Sequence, residues 1–116
     1  MDRRKQLKEQ YKQMRPDMGV FAIESKVNNK CCIEATQDLR GTMNGTRFKL
    51  KNGSHPNREL QKEWKEFGEG NFTIEILEHL EYDKDESKTD YKEDLALAKM
   101  IWEEKLLQEK KAFYRR

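Results

Sequence analysis

The sequence predicts an α/β fold: a small three-stranded sheet, antiparallel or mixed, flanked by helices, with an extra helix at the N-terminus and a long one at the C-terminus. Three observations carry this. Residues 18–35 read as two apolar strands around an Asn-Asn turn. Residues 71–78 alternate Phe72, Ile74 and Ile76. Two stripes at helical spacing, Leu60/Trp64/Phe67 and Leu95/Ala98/Trp102/Leu106, supply faces to cover a sheet.

The elements follow in order. Residues 2–14 place Leu7, Tyr11 and Met14 four and three apart, as a short amphipathic helix does, and Pro16 ends it. This divides the chain into an N-terminal helical extension, 1–17, and a single domain, 18–116. "MGVFAIES" is the first strand and "KCCIEA" the second; the turn between them uses Asn, which tolerates positive φ. Thr36 or Asp38 caps a helix running to about Lys51, weakened by Gly41 and Gly45. Ser54 offers the next cap signal, and the helix of about 55–67 stops at Gly68. The third strand covers 71–78. An acidic loop leads to a helix starting near Asp90 and running over about 92–112.

Composition limits the function. Apolar residues make up 34% of the chain and charged ones 40%, so a modest core lies under a heavily solvated surface. No stretch approaches the ~20 apolar residues of a membrane span. The charged N-terminus lacks the apolar core of a signal peptide, which predicts a cytoplasmic protein. The formal net charge is +2. It is unevenly spread: residues 1–16 carry a net +4, residues 26–65 a net +5 and residues 66–94 a net −8. A basic front half is compatible with nucleic-acid contact. Cys31 and Cys32 are adjacent and staple no loop, and His55 and His79 are far apart, which argues against a zinc site.

Five segments in order carry a family resemblance. Gly19-Val20-Phe21 and Cys32-Ile33-Glu34 stand as a paired motif, "TQDLRG" follows as a turn, and "GSHPNRELQKEW", "NFTIEILE" and "DLALAKMIWEEKL" come after. Over roughly residues 18–106 this set resembles the GIY-YIG nuclease family, and the branch of it with a His-bearing segment. The resemblance implies hydrolysis of DNA phosphodiesters with one divalent cation, Mg or Mn. A Tyr in each motif would position water, an Arg on the first helix would hold phosphate, and a Glu on the last helix would bind the metal.

At those positions the chemistry is changed. The first Tyr falls on Phe21, the second on Cys32, the following glycine on Glu34, the Arg on Thr42 and the metal-binding Glu on Lys99. His55 keeps the place of a family histidine, or caps the next helix. Arg40 or Arg47 remains as a phosphate clamp. A charged lysine cannot ligate a hard cation, which takes oxygen ligands. On a helical wheel Lys99 lies about 40° from Leu95 and about 60° from Trp102, so it faces inward. With the catalytic positions at Phe21, Cys32, Arg47, His55 and Lys99, the expectation is a degenerate nuclease-family domain with no resident cofactor. Residual DNA binding would rest on Arg40, Arg47, Lys49 and Arg58. One alternative is an active endonuclease with Glu103 as relocated metal ligand. Another is a protein-interaction module binding a protein partner. Glu34 and Lys99 are expected to form an ion pair across the old site.

Overall fold

The hairpin forms as its pattern requires. In the computed structural model, which describes residues 3, 4, 6 and 15–115, β1 (Met18–Ser25) pairs antiparallel with β2 (Lys30–Thr36). Asn29 turns the chain at φ 61°, the left-handed conformation that Asn tolerates. β3 (Phe72–Leu80) pairs antiparallel with the other edge of β1. Its register shifts between Val20 and Phe21, which pair with Glu78 and Ile76 and leave Leu77 as the extra residue of a bulge.

The sheet has one strand more than expected. The last helix ends at Gln108, Lys110 turns at φ 64°, and β4 (Ala112–Phe113) lies parallel to β2 at Lys30 and Cys31. The strand order is β3-β1-β2-β4, so the sheet is mixed. β1 is central and covered on both faces, which is why seven of its eight residues are buried.

Three helices cover the sheet. α1 (Leu39–Asn52) and α2 (Arg58–Phe67) lie on one face, where Phe21, Ile23 and Phe72 pack with Leu39, Leu50, Leu60 and Trp64. α3 (Lys92–Gln108) lies on the other, where Val20, Ala22, Cys31 and Ile33 pack with Ala98, Leu106 and Trp102. Trp102 also donates through Nε1 to Glu78 Oε1 of β3 at 2.8 Å. Of the two cap choices for α1, the chain uses Asp38, whose carboxylate accepts from the Gly41 amide at 3.0 Å. Before α2 the cap is Asn57, not Ser54: Pro56 disfavours helical backbone at His55, and the Asn57 side chain accepts from the Leu60 amide.

Of the N-terminal helix, Arg3, Arg4 and Gln6 are helical, while Leu7, Tyr11 and Met14 lie outside the described residues. Among the described residues no helix is long and apolar enough to cross a membrane.

Candidate functional site

β4 covers β2 only at Lys30 and Cys31. Beyond them, from Cys32 to Ala35, the outer edge of β2 is the floor of a cavity of about 590 Å³. The turn His55-Pro56-Asn57 forms one wall, and the first half of α3, through Lys92, Leu95, Ala96 and Lys99, forms the other. A second hollow of about 430 Å³ shares Glu34, His55 and Pro56 and continues along α1 past Thr42, Gly45, Thr46 and Lys49. The two make one cleft from α3 to α1. At Gly45 the wall is bare, and a Cβ there would meet nothing within 4 Å.

The pleat of β2 assigns the cleft's charges to opposite sides. Glu34 pairs with Phe21, whose side chain faces α1 and α2, whereas Ile33 and Ala35 face α3. Lys99 comes from α3. Both line the cavity, yet no ion pair joins them, and the expected Glu34–Lys99 bridge is corrected. The strand edge stands between the two groups, a one-residue matter of register.

His55 is fixed by its own segment. Its backbone N–H donates to Gln61 Oε1, its Nδ1 accepts from the Asn57 N–H at 3.0 Å, and the Asn57 side chain caps α2 through the Leu60 amide. Nδ1 can accept only while it keeps its lone pair. The proton of the neutral ring therefore sits on Nε2, which is left for the cleft as a donor. Burial pushes the His55 pKa below its usual 6.5, against a smaller upward pull from the Glu34 carboxylate. A base with a lowered folded pKa gives stability that is full above about pH 6.5 and declines as pH falls through the folded value. Urea midpoints measured between pH 7.5 and 5 should show this acid loss. A His55→Gln variant should lack that part of it.

The structure separates the other candidates. Cys32 is half-buried, faces α1 and α2 as Glu34 does, and contributes to the cavity floor. Phe21 is fully buried among Leu39 and Leu50, away from both hollows. Arg40 and Arg47 line a different hollow, with Asp17 and Ile76, on the β3 side of α1. Arg58 is exposed at the start of α2, next to the cleft wall. Glu103 is half-buried and lies outside the cavity; its charge is felt at Cys31. Cys31 faces α3, opposite Cys32, and burial followed by the Glu24 carboxylate pushes its thiol up to about 11, so it stays protonated.

Lys92 was missed by sequence reasoning. Its signal was present: residues 92, 95, 96 and 99 stand at i, i+3, i+4 and i+7, one face of a helix. Thr42 was read only as a lost arginine. Its hydroxyl bonds the Thr36 hydroxyl at 2.7 Å and ties α1 to β2.

The donors present do not fit a hard divalent cation. Among the described residues no three His, Cys, Asp or Glu side chains gather. In the cleft Glu34 is a single carboxylate with no second one beside it to share a cation, Asp38 accepts from the Gly41 amide in its cap, His55 offers a proton rather than a lone pair, and Lys99 adds a basic side chain.

No protein-family model matches the sequence, and no curated protein matches it significantly. The fold is similar to solved structures of the catalytic domain of homing endonuclease I-TevI, described in one case as an intron endonuclease mutant. Both share 21% identity with this chain at a TM-score of 0.65 and cover 85% of it. The matches cover 92% of the mutant's chain and 99% of the other. The likeness is one of fold, and it agrees with the expected α/β class of a small sheet flanked by helices.

Proposed function

We propose that this chain is a nucleic-acid-binding domain on an endonuclease fold, whose cleft holds a phosphodiester backbone without cutting it. The observation that carries the reading is the placement of Lys99. It lines the same cavity as His55 and Lys92, with Lys49 on the adjoining hollow, so cations and a neutral N–H donor converge where a metal would need carboxylates. Lysines placed around a groove neutralise phosphates and position the strand without reading its sequence. Glu34, on the α1 and α2 side of β2, repels phosphate and biases the backbone toward Lys92 and Lys99. The fold likeness to an endonuclease catalytic domain supports a nucleic-acid ligand over other polyanions.

Duplex DNA is expected to bind weakly, with log K falling steeply against log salt at about 0.9 per phosphate contacted. Lys49→Ala and Lys99→Ala should each reduce that slope by roughly one and weaken binding about uniformly across sequences. Arg40→Ala and Arg47→Ala, outside the cleft, should change it less. The check is fluorescence anisotropy from low to physiological salt, beside plasmid nicking in Mg²⁺ and Mn²⁺. Metal-dependent nicking that persists in Lys99→Ala and is lost in Glu103→Gln would replace this reading with that of an enzyme. Undetectable binding at low salt would end it.

A further inference from the structure

The cavity at the edge of β2 is larger and more apolar than a phosphate needs. Its volume is about 590 Å³, and Ile33, Ala35, Pro56, Leu95 and Ala96 supply an apolar lining. Concave sites of this size, with apolar walls and a few polar groups, suit a flat organic ligand. A phosphate would not descend among these side chains, because an anion buried without partners is costly. The cations stand ready for it elsewhere on the cleft. Lys92 and Lys99 lie two turns apart on α3, Lys49 lies on the adjoining hollow, and among the described residues none of the three is in an ion pair.

Glu34 and His55 line both hollows. A phosphate diester only accepts hydrogen bonds, so it can use the His55 Nε2–H and has no use for the Glu34 carboxylate. A nucleobase edge carries N–H donors beside its acceptors, and so can use both groups. Its flat faces can lie on aliphatic side chains. In a duplex the bases are stacked and paired, and none can enter a cavity without leaving the stack. In a single strand they are free to be splayed out.

We infer that the cavity takes an unpaired nucleobase, so that the chain binds single-stranded nucleic acid in preference to duplex. The base lies against Ile33, Pro56 and Leu95, its edge meets Glu34 and His55, and the flanking phosphates go to Lys92, Lys99 and Lys49. This rests on the reading of the cleft as a phosphate-holding site and adds the class of strand it holds. It also gives a carboxylate a purpose in a cleft that otherwise collects cations.

Fluorescence anisotropy with the full chain and three probes tests this. They are an oligothymidylate of about twelve nucleotides, a strand of equal length built entirely of abasic sites, and a duplex of the same length. At about 0.15 M salt the oligothymidylate should bind about tenfold tighter than the abasic strand, and tighter than the duplex. The two single strands should share one log–log salt slope, because they carry the same phosphates. Ala96 is exposed on the cavity wall, so Ala96→Met should melt as wild type does while removing most of the oligothymidylate's advantage. Equal affinity for the two single strands would overturn the base site and leave the phosphate-holding reading intact. An advantage untouched by Ala96→Met would place the base outside this cavity, and duplex binding as tight as oligothymidylate would overturn the preference. No binding of any probe at low salt would end both readings together.

Discussion

Glu63→Ala is expected to lower the unfolding free energy by about 3 kcal/mol, as much as truncating a well-packed core side chain. Glu63 is buried on α2 and joins three separate parts of the chain. Its Oε1 accepts from Asn28 in the hairpin turn at 2.6 Å and from the Tyr114 hydroxyl beyond β4 at 2.9 Å. Its Oε2 lies 3.3 Å from the Lys30 ammonium of β2. Lys30 also has Glu59 at 2.9 Å and Asn28 reaches water, so neither is stranded by the change. Tyr114 is different: its phenol is buried and would lose its carboxylate acceptor, keeping only the Ser25 side chain as a partner. Weakening a buried donor's bonding costs about 1–3 kcal/mol, and the lost charge-assisted bonds account for the rest.

Glu63→Gln keeps an oxygen for Tyr114 and should cost about 1 kcal/mol. The same cluster sets a pH dependence. Burial would raise the Glu63 pKa, but the hydrogen bonds from Asn28, Tyr114 and Lys30 outweigh it and hold the carboxyl below its usual 4.5. The associated stability is present above about pH 4.5 and is lost as pH falls through the folded value. Denaturant melts of the three proteins at pH 7 and pH 3.5 are the check. Equal midpoints for wild type and Glu63→Ala at pH 7 would show that the cluster contributes nothing.

What was legible in the sequence was what depends on local pattern. Phe72 and Ile74 in the third strand, Leu60 and Trp64 on α2, and the Asn29 turn all took the places their spacing predicts, because each signal spans a few neighbouring residues. What was not legible depends on distant partners. β4 has two residues and exists only because Lys30 and Cys31 offer an edge some eighty residues earlier; a run such as "EKKAFYRR" carries no turn signal, and Lys110 adopts positive φ without being Gly or Asn. The cleft was half legible. Lys99 was placed inward by the helical wheel, and it lines the cavity. Its expected partner Glu34 was not reachable, since which face a strand residue takes turns on a single step of register. Arg40 and Arg47 were grouped with Lys49 by the arrangement around the cleft that the resemblance implies, and α1 puts them on different sides.

Gly19→Ala should destabilise by about 3 kcal/mol or more, although it adds one methyl group. The resemblance reads Gly19 as the first letter of a catalytic signature. The packing supplies a reason that involves no chemistry at the cleft. Gly19 pairs with His79 in the central strand, and a Cβ there would lie 1.9 Å from the Glu78 carbonyl oxygen and 3.1 Å from the His79 Cα. Both neighbours are backbone of β3, just beyond the bulge that admits Leu77, so no rotamer change relieves the contact. Either the β1–β3 ladder opens at this end or the bulge moves, and each frees sheet hydrogen bonds beside buried Met18 and Val20. Gly45→Ala provides the opposite case. It lies within α1, where a Cβ meets open space, and replacing a helical glycine by alanine should stabilise by roughly 0.5–1 kcal/mol. Urea melts of the two variants should therefore move in opposite directions from wild type. Hydrogen exchange should show amides at residues 18–20 and 78–80 losing protection in Gly19→Ala while those at 72–75 change less. If Gly19→Ala melted like wild type, the close approach of β1 and β3 would not be what requires glycine at this position.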